Sequence, residues 1–331
     1  MTIPLTGPER PLVVRTDEAR FADLPGFPFE PRYVKVENPV GPGTLRMHYV
    51  DEGPPDAPVV LMLHGEPCWS FLYRKLIPVF VQAGLRAIAI DQMGFGRSDK
   101  LTFAPHYSFA RHIEWARQLV VNLDLRDITL VCQDWGGPIG MGVLAREMDR
   151  FSRVVAANTM LHTAEPELAG RLEWAAHASG AHDSTVSNLL LDWRVESHRS
   201  EHFEASPSIP FATARGVDPE VAAAYDAPFP SEWHKAAMRH YPLLIPVTPS
   251  DPGAAINRDT WAVLARFDRP FLTLFGDSDP ATRGWEQIFR ERVPGAADQP
   301  HQTLERAGHF WQEDCGAEAA EIISLQPSPT S

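Results

Sequence analysis

The stretch that most constrains this chain is residues 131–137, VCQDWGG, which lies between an apolar run and a segment rich in small residues. The apolar run at 128–131 predicts a buried strand, and the small residues predict a helix beginning near Gly136. Small residues two positions before and two after Asp134, namely Cys132 and Gly136, let such a strand and helix pack closely behind a sharp turn. The stretch therefore predicts a nucleophile elbow in which Asp134 holds the nucleophile position.

A carboxylate at this position predicts a two-step chemistry. A carboxylate is already ionised at neutral pH, so it attacks a carbon bearing a leaving group without help from a base and forms an alkyl ester. Water deprotonated by a histidine then hydrolyses the ester, while backbone N–H groups stabilise the oxyanion. The alternative is that Asp134 only caps the following helix, which is a common role for Asp at a strand-to-helix turn.

Composition narrows the class of protein. The chain has 331 residues, of which 44% are hydrophobic and 22% charged, enough for one large core plus a smaller unit. A net charge of -13 disfavours nucleic acid and anionic membrane surfaces as partners and fits a small neutral substrate. The first thirty or so residues contain no apolar run typical of a signal sequence or membrane span, which predicts a cytoplasmic protein. The three cysteines, Cys68, Cys132 and Cys315, lack metal-ligand spacing and are predicted to be reduced thiols.

The order of apolar runs predicts the fold class. An antiparallel hairpin is expected within 30–53, followed by alternating buried strands and helices. Strand, helix, strand, helix, strand in this order predicts an α/β fold with a right-handed, doubly wound, mostly parallel sheet. The strands are expected at 59–63, 86–90, 128–131 and 154–158, and the helices at 69–83 and 107–122. Active sites in such sheets lie at the carboxyl ends of the strands, where residues 64–67 (HGEP) and Asp134 both fall.

The strand and helix alternation then stops for about eighty residues, too many for a simple connection. Proline-rich turns there separate helical segments predicted at 169–178, 185–197, 218–225 and 231–241. We interpret residues 161–246 as a helical cap inserted into an α/β core formed by residues 1–160 and 247–331. The core is expected to resume with a helix at 258–267, a strand at 270–275, a helix at 283–292 and a strand at 302–305, before a frayed tail at 326–331.

Two further chemical groups follow the last predicted strands. Asp277 and Asp279 follow the strand at 270–275, and His309 follows the final strand. The chain order nucleophile, acid, histidine is the order found in the hydrolase fold built on a nucleophile elbow. The acid would fix the tautomer of His309, leaving its second ring nitrogen to activate water. The residues alone leave both aspartates open, although Asp is also common in turns.

Four motifs together resemble the haloalkane dehalogenases of the α/β-hydrolase fold: HGEP at 64–67, DQMGFGRS at 91–98, QDWGG at 133–137 and AGHF at 307–310. The resemblance extends from about Phe21 to Ile323. It implies hydrolysis of haloalkanes to alcohol, halide and a proton through an alkyl ester on Asp134, with no metal or organic cofactor. The family spacing places the acid three residues after the strand-terminal glycine, which selects Asp279.

The resemblance also implies how the halide is held. The tryptophan after the nucleophile, here Trp135, donates its indole N–H to the leaving halide. One branch of the family uses an Asn as second donor, but Glu66 occupies that position, so the chain resembles subfamily I, in which a cap tryptophan is the second donor. Among Trp174, Trp193 and Trp233, Trp193 best matches the family position, and Trp174 is the next candidate. The backbone N–H groups of Glu66 and Trp135 are expected to form the oxyanion hole, and the Glu66 side chain to help hold the water.

The sequence departs from the family pattern at Cys68, where relatives often carry Thr, and at 196–213, which matches no pattern. An epoxide hydrolase is one alternative, and it would need the cap tyrosines Tyr225 and Tyr241 to protonate the opening oxygen. A fluoroacetate-type dehalogenase would need an arginine where Met93 stands. A catalytically silent binding protein of the same fold is the non-enzymatic alternative. We expect a monomer or a weak homo-oligomer.

Overall fold

The computed structural model describes residues 11–165 and 185–325. Its strands, in chain order, are β1 (Val13–Val14), β2 (Arg32–Glu37), β3 (Thr44–Glu52), β4 (Val59–Leu63), β5 (Arg86–Ile90), β6 (Lys100–Leu101), β7 (Ile128–Cys132), β8 (Phe151–Ala156), β9 (Phe271–Gly276) and β10 (Gln302–Leu304). Eight of them form one sheet in the order β10-β9-β8-β7-β4-β5-β3-β2, while β1 and β6 pair separately. Within the large sheet, β2 and β3 are antiparallel to their neighbours and the remaining pairs are parallel. The predicted doubly wound, mostly parallel sheet is confirmed.

The described helices are α1 (Ile77–Gln82), α2 (Phe109–Asn122), α3 (Gly136–Arg146), α4 (Thr185–Arg199), α5 (Ser208–Phe211), α6 (Pro219–Ala224), α7 (Ala236–His240), α8 (Pro252–Leu264), α9 (Trp285–Arg292) and α10 (Trp311–Ser324). Short 3-10 helices occur at Glu18–Phe21, Ser70–Tyr73, Ala104–His106, Met148–Arg150, Glu232–His234, Tyr241–Leu244 and Pro294–Ala296. Within the described ranges, no helix is both long enough and apolar enough to cross a membrane.

The centre of the sheet is buried on both faces. All five residues of β4 and all five of β7 are buried, as expected for neighbouring parallel strands covered by helices. The register pairs Leu63 with Cys132 at the carboxyl ends of these strands. The chain segments that follow β4 and β7 therefore leave the sheet side by side, which brings Glu66 close to Asp134.

The predicted helix at 69–83 is wrong as a single element. The structure has a 3-10 helix at Ser70–Tyr73 and a separate helix α1 that begins at Ile77. Pro78 lies in the first turn of α1, where its missing N–H is tolerated. An uninterrupted helix would bring the Pro78 ring against the carbonyl of Arg74, so the chain must restart its helix at this point.

Between β8 and β9 the described chain adds helices α4 to α8 and no strand. The Arg194 guanidinium fastens α4 to the returning chain, because its Nη1 donates to the carbonyls of Pro242, Leu243 and Ile245 at 2.8–3.0 Å. The helix predicted at 169–178 and the tail predicted at 326–331 lie outside the described residues.

Candidate active site

Asp134 occupies the turn between β7 and α3. Its φ of 49° lies in the left-handed region, which is uncommon for a residue other than glycine and is held here by the surrounding contacts. The Asp134 N–H donates to the carbonyl of Asn158 at 2.9 Å, and its own carbonyl accepts from the Thr159 hydroxyl at 2.6 Å. A Cβ on Gly136 would lie 1.9 Å from the carbonyl oxygen of Leu63, so only glycine allows β4 and α3 to approach this closely.

The Asp134 carboxylate has a distinct neighbour at each oxygen. Oδ1 accepts the backbone N–H of Glu66 at 2.9 Å, and Oδ2 lies 3.5 Å from Nε2 of His309. A Cβ on Gly65 would lie 2.1 Å from Oδ1, so glycine before Glu66 leaves the room that this contact needs. One carboxylate oxygen is therefore fixed by a backbone donor, and the other faces the histidine.

The other nitrogen of the His309 ring, Nδ1, lies next to Asp279. Nδ1 of His309 lies 3.2 Å from both Asp279 oxygens, and Asp279 also accepts the Ala281 N–H at 2.9 Å and the Thr282 hydroxyl. Burial alone would raise the pKa of Asp279, but the histidine and these donors lower it. Burial lowers the pKa of His309, yet the carboxylates of Asp279 and Asp134 outweigh burial and raise the pKa to about 10.

Asp277, the alternative acid, contacts backbone donors, whereas Nδ1 of the histidine contacts Asp279. It is exposed, and its carboxylate accepts the backbone N–H groups of Arg306 and Ala307 at 3.0 and 3.3 Å. These contacts close the turn between the strand-terminal loops that carry Asp279 and His309. The geometry thus separates a turn carboxylate from the one that contacts the histidine ring.

Glu66 contributes its side chain as well as its backbone. The side chain is 5% exposed, and Oε2 accepts the indole N–H of Trp193 at 2.8 Å. Burial raises the pKa of Glu66 well above its ordinary value; the nearby Asp134 carboxylate acts in the same direction, and the Trp193 hydrogen bond acts against it. Oε1 of Glu66 has no hydrogen-bond partner among the described residues. Trp193 itself is half-buried and packs against Phe203, with ring centroids 5.1 Å apart.

Trp135 lies beside Asp134 and is 8% exposed. Its ring makes edge-to-face contacts with Phe109 and Tyr241, at centroid distances of 5.6 and 5.4 Å. No group in residues 11–165 or 185–325 accepts a hydrogen bond from its indole N–H. Trp174 lies outside the described residues. Of the two other candidates for the second halide donor, Trp193 lines the cavity described next and Trp233 does not.

These groups converge on a cavity of about 300 Å³ lined by Asp134, His309, Glu66, Trp135 and Trp193. The rest of the lining is mainly apolar. It comes both from the segment between β8 and β9, for example Met160, Ile245 and Pro246, and from residues outside that segment, for example Pro138 and Phe310. A small, mostly apolar cavity with few convergent polar groups fits a small neutral organic molecule. The described residues contain no group of three His, Cys, Asp or Glu side chains placed to hold a metal ion.

The two tyrosines that would support epoxide opening are not in the cavity lining. The Tyr225 hydroxyl donates to Oε1 of Glu313 at 2.5 Å, and the Tyr241 hydroxyl donates to Oε1 of Gln92 at 2.7 Å. Both side chains are fully buried. Their protons are directed at other protein groups, so neither is positioned to protonate a substrate oxygen near Asp134.

Two positioning residues were missed by the sequence reasoning. The Asn158 side chain donates Nδ2 to the carbonyls of Gly308 and His309 and accepts the Gly276 N–H at 2.8 Å, joining three strand ends. Nε2 of Gln133 lies 3.1 Å from Nε2 of His309. The position of Gln133 in the QDWGG motif could have indicated that it contacts the site. Nothing in the sequence distinguishes Asn158 from an ordinary residue after a strand.

The three cysteines are buried and unpaired, as the sequence predicted. Burial raises the pKa of the Cys68 and Cys132 thiols, and raises that of Cys315 to about 12. A thiol whose pKa is raised in this way is a poor nucleophile at neutral pH. The cysteines therefore pack in the core as unreactive thiols.

Comparison with known proteins first defines the class of protein. The family model described as the alpha/beta hydrolase fold matches residues 58–310, which include the elbow and the loops carrying Glu66, Asp279 and His309. Strands β4 to β10 fall within that range. The chain is therefore an α/β hydrolase by fold.

Full-length relatives then define the family. A haloalkane dehalogenase from Psychrobacter cryohalolentis is 43% identical over 311 residues, covering 94% of this chain and 96% of the relative. One from Mycobacterium marinum is 44% identical over 315 residues, covering 95% and 99%. The tetrameric haloalkane dehalogenase DpaA from Paraglaciecola agarilytica NO2 superposes with a TM-score of 0.83 at 32% identity, covering 96% of this chain and 99% of that chain. The chain belongs to the haloalkane dehalogenase family.

Proposed function

We propose that this chain hydrolyses the carbon–halogen bonds of haloalkanes to an alcohol, a halide ion and a proton. The observation that carries the proposal is the position of Asp134 in a mostly apolar cavity, with one oxygen on the Glu66 backbone N–H and the other 3.5 Å from His309. Membership of a family whose relatives bear the name haloalkane dehalogenase supports the same reaction.

In the first step, Oδ2 of Asp134 attacks the carbon that carries the halogen. The carbon–halogen bond breaks as the carbon–oxygen bond forms, and the halide leaves with the bonding electron pair. The proposed donors to the halide are the indole N–H groups of Trp135 and Trp193. An indole N–H is a neutral donor, so it stabilises the departing anion without the permanent attraction of a cationic side chain.

In the second step, His309 takes a proton from a water molecule that attacks the carboxyl carbon of the ester. The negative charge develops on Oδ1, where the Glu66 backbone N–H already donates, and we propose the Trp135 backbone N–H as the second donor. Collapse of the intermediate breaks the Cγ–Oδ2 bond, so that Oδ2 leaves with the alkyl group as the alcohol, which takes the proton held by His309. The oxygen from water becomes part of the carboxyl group, which loses its remaining proton as the Asp134 carboxylate is restored. None of these steps calls on a metal or an organic cofactor.

Alkylation of Asp134 also prepares His309 for its role. In the free site the carboxylates of Asp279 and Asp134 together raise the pKa of His309, which favours the protonated ring. Formation of the ester removes the Asp134 charge, so the pKa of His309 falls and its Nε2 becomes available as a base. Asp279 keeps the ring oriented through Nδ1 in both states.

We also propose the division into a core at 1–160 and 247–331 and a helical cap at 161–246. The helices α4 to α7 supply Trp193 and part of the cavity lining, whereas the sheet and its loops supply Asp134, Asp279 and His309. The cytoplasmic location and the monomeric or weakly associating state stay predictions. Light scattering at several protein concentrations tests the latter against the tetramer described for DpaA.

The experiment that tests the function compares two reactions in one preparation. Bromide release is measured with 1,2-dibromoethane and with 1-bromobutane, and diol formation is measured with styrene oxide. We expect bromide release without diol. Diol without bromide would transfer the protein to the epoxide hydrolases, an outcome disfavoured by the buried and engaged hydroxyls of Tyr225 and Tyr241. If neither bromide nor diol is formed, the chain would be a silent binding protein. The cavity at Asp134 argues against this outcome.

A further inference from the structure

The indole N–H of Trp193 already has an acceptor in the protein. It donates to Oε2 of Glu66 at 2.8 Å, a distance typical of a good hydrogen bond. An indole has a single N–H, so Trp193 cannot make this bond and a full hydrogen bond to a halide at the same time. Glu66 and a bound halide would therefore compete as acceptors for the same N–H.

We propose that the Glu66 side chain competes with the departing halide for the Trp193 indole N–H and thereby promotes halide release. The inference rests on the proposed function, because it assigns a second partner to a tryptophan proposed there as a halide donor. No covalent bond changes in this step. Trp193 exchanges one acceptor for another, and the halide is left with the Trp135 donor alone.

The contacts of Glu66 allow the Trp193 N–H to change acceptor while the Glu66 backbone stays in place. The Glu66 N–H is held on Oδ1 of Asp134, so only its side chain is free to reorient. Oε1 is buried and has no hydrogen-bond partner among the described residues, and Glu66 as a whole is only 5% exposed. If the Trp193 donor is lost, neither oxygen of this buried carboxyl group keeps a protein hydrogen bond from the described residues, which favours return of the N–H to Glu66.

The protonation state of Glu66 does not decide the proposal. An ionised carboxylate and the carbonyl oxygen of a neutral carboxyl group both accept hydrogen bonds. An ionised Glu66 would in addition repel the halide, because the two anions would lie on the same indole. The effect of the N–H must therefore be separated from the effect of charge, and the variants below are chosen for that purpose.

Bromide affinity is measured by isothermal titration calorimetry with sodium bromide on the full chain. Glu66→Met, which has no comparable acceptor, is expected to bind bromide about tenfold more tightly than the wild type, the effect of one hydrogen bond to a charged group. Glu66→Gln keeps an acceptor oxygen of the same size and is expected to gain less. Glu196→Gln removes one negative charge from the same helix as Trp193 and is the matched control, with unchanged affinity.

The decisive comparison repeats the Glu66 change in a Trp193→Phe background. If the two residues compete through the N–H, Glu66→Met no longer tightens bromide binding there. An equal gain in both backgrounds, or a Glu66→Gln gain as large as that of Glu66→Met, would identify a charge effect and overturn the proposal. Unchanged bromide affinity in a folded Glu66→Met variant would overturn it too.

A measurement on the unmodified sequence guards against a variant that fails to fold. In protein labelled with ¹⁵N, the Trp193 indole N–H resonance is assigned by its loss in Trp193→Phe and is followed during bromide addition. We expect a saturable shift, and a resonance that ignores saturating bromide would contradict the exchange. These binding readouts do not depend on turnover, so failure of haloalkane hydrolysis with the expected bromide pattern would overturn the proposed function alone.

Discussion

Nε2 of His309 lies 3.5 Å from Oδ2 of Asp134, so the proposed base faces the proposed nucleophile directly. The same ring contacts Asp279 through Nδ1, which places a histidine between two carboxylates. Conversion of one carboxylate into a neutral ester changes the charge around the histidine by one unit. The arrangement links the first chemical step to the basicity needed in the second.

The two-step mechanism predicts a trapped intermediate. His309→Gln removes the base but leaves Asp134 free to attack, so the alkyl ester should form and persist. Intact-protein mass spectrometry after addition of 1-bromobutane should show one added butyl group, located on the peptide that contains Asp134. The double variant His309→Gln with Asp134→Ala is the control and should show no adduct. An unmodified His309→Gln protein that still folds would contradict an ester-forming nucleophile.

The acid is tested by a pair of matched substitutions. Asp279→Asn removes the charge beside Nδ1 of His309 and should lower kcat by about a thousandfold or more, as loss of the acid does in comparable triads. Asp277→Asn removes the turn carboxylate and should leave kcat within about twofold of the wild type. Halide release under saturating 1-bromobutane measures both. A larger loss for Asp277→Asn would reverse the assignment.

The second halide donor is tested among the tryptophans. Trp193→Phe keeps an aromatic ring but removes the N–H, and bromide affinity and bromoalkane turnover should both fall by about tenfold. Trp233→Phe, which lies outside the cavity lining, should change neither quantity. If Trp174→Phe causes the loss and Trp193→Phe does not, the donor is Trp174.

The protonated His309 should contribute stability over a defined pH range. Its pKa is raised from 6.5 to about 10, so its contribution is complete below pH 6.5 and is lost as pH rises through about 10. The difference in free energy of unfolding between wild type and His309→Gln should therefore shrink across this range. Urea denaturation at several pH values measures it. A difference that grows with pH would mean that the histidine is held neutral in the fold.

Asn158 should be important for stability although it is not a proposed catalytic group. Asn158→Ala leaves the Gly308 and His309 carbonyls and the Gly276 N–H without their side-chain partner, which should cost about 2 to 3 kcal/mol. Asn122→Ala, an exposed position whose side chain donates to the Lys35 carbonyl, is the control and should cost less than about 0.5 kcal/mol. Urea unfolding measures both, and equal losses would argue against a special role for Asn158.

The sequence predicted the elements whose pattern is local. The buried apolar strands and the short motifs at their ends carry their own signals, and the parallel sheet then brings Asp134, Asp279 and His309 to one edge. Helix α10 was missed because two of its acidic residues face inward. Glu313 is buried on the Arg74 guanidinium, and Asp314 accepts the Gly308 N–H, so the hydrophobic periodicity of a surface helix is broken.

Contacts between distant segments could not be read from the sequence. The bond from Trp193 to Glu66 joins residues 127 positions apart, and no spacing rule connects a cap helix to the loop after β4. The resemblance indicated both residues but gave them separate roles. The Asn158 contacts likewise depend on the packing of three strand ends and carry no local signal.

Arg194, next to Trp193, binds three carbonyls of the chain at 242–245 and so fixes the position of α4 against that segment. The position of the Trp193 indole is therefore set by contacts of the residue that follows it in the chain. A protein engineer who grafts a shorter or longer segment ahead of α4 should be able to reshape the substrate range without displacing Trp193. Grafts that extend beyond Arg194 should instead misplace the indole, and this arginine marks the boundary at which such exchanges should stop.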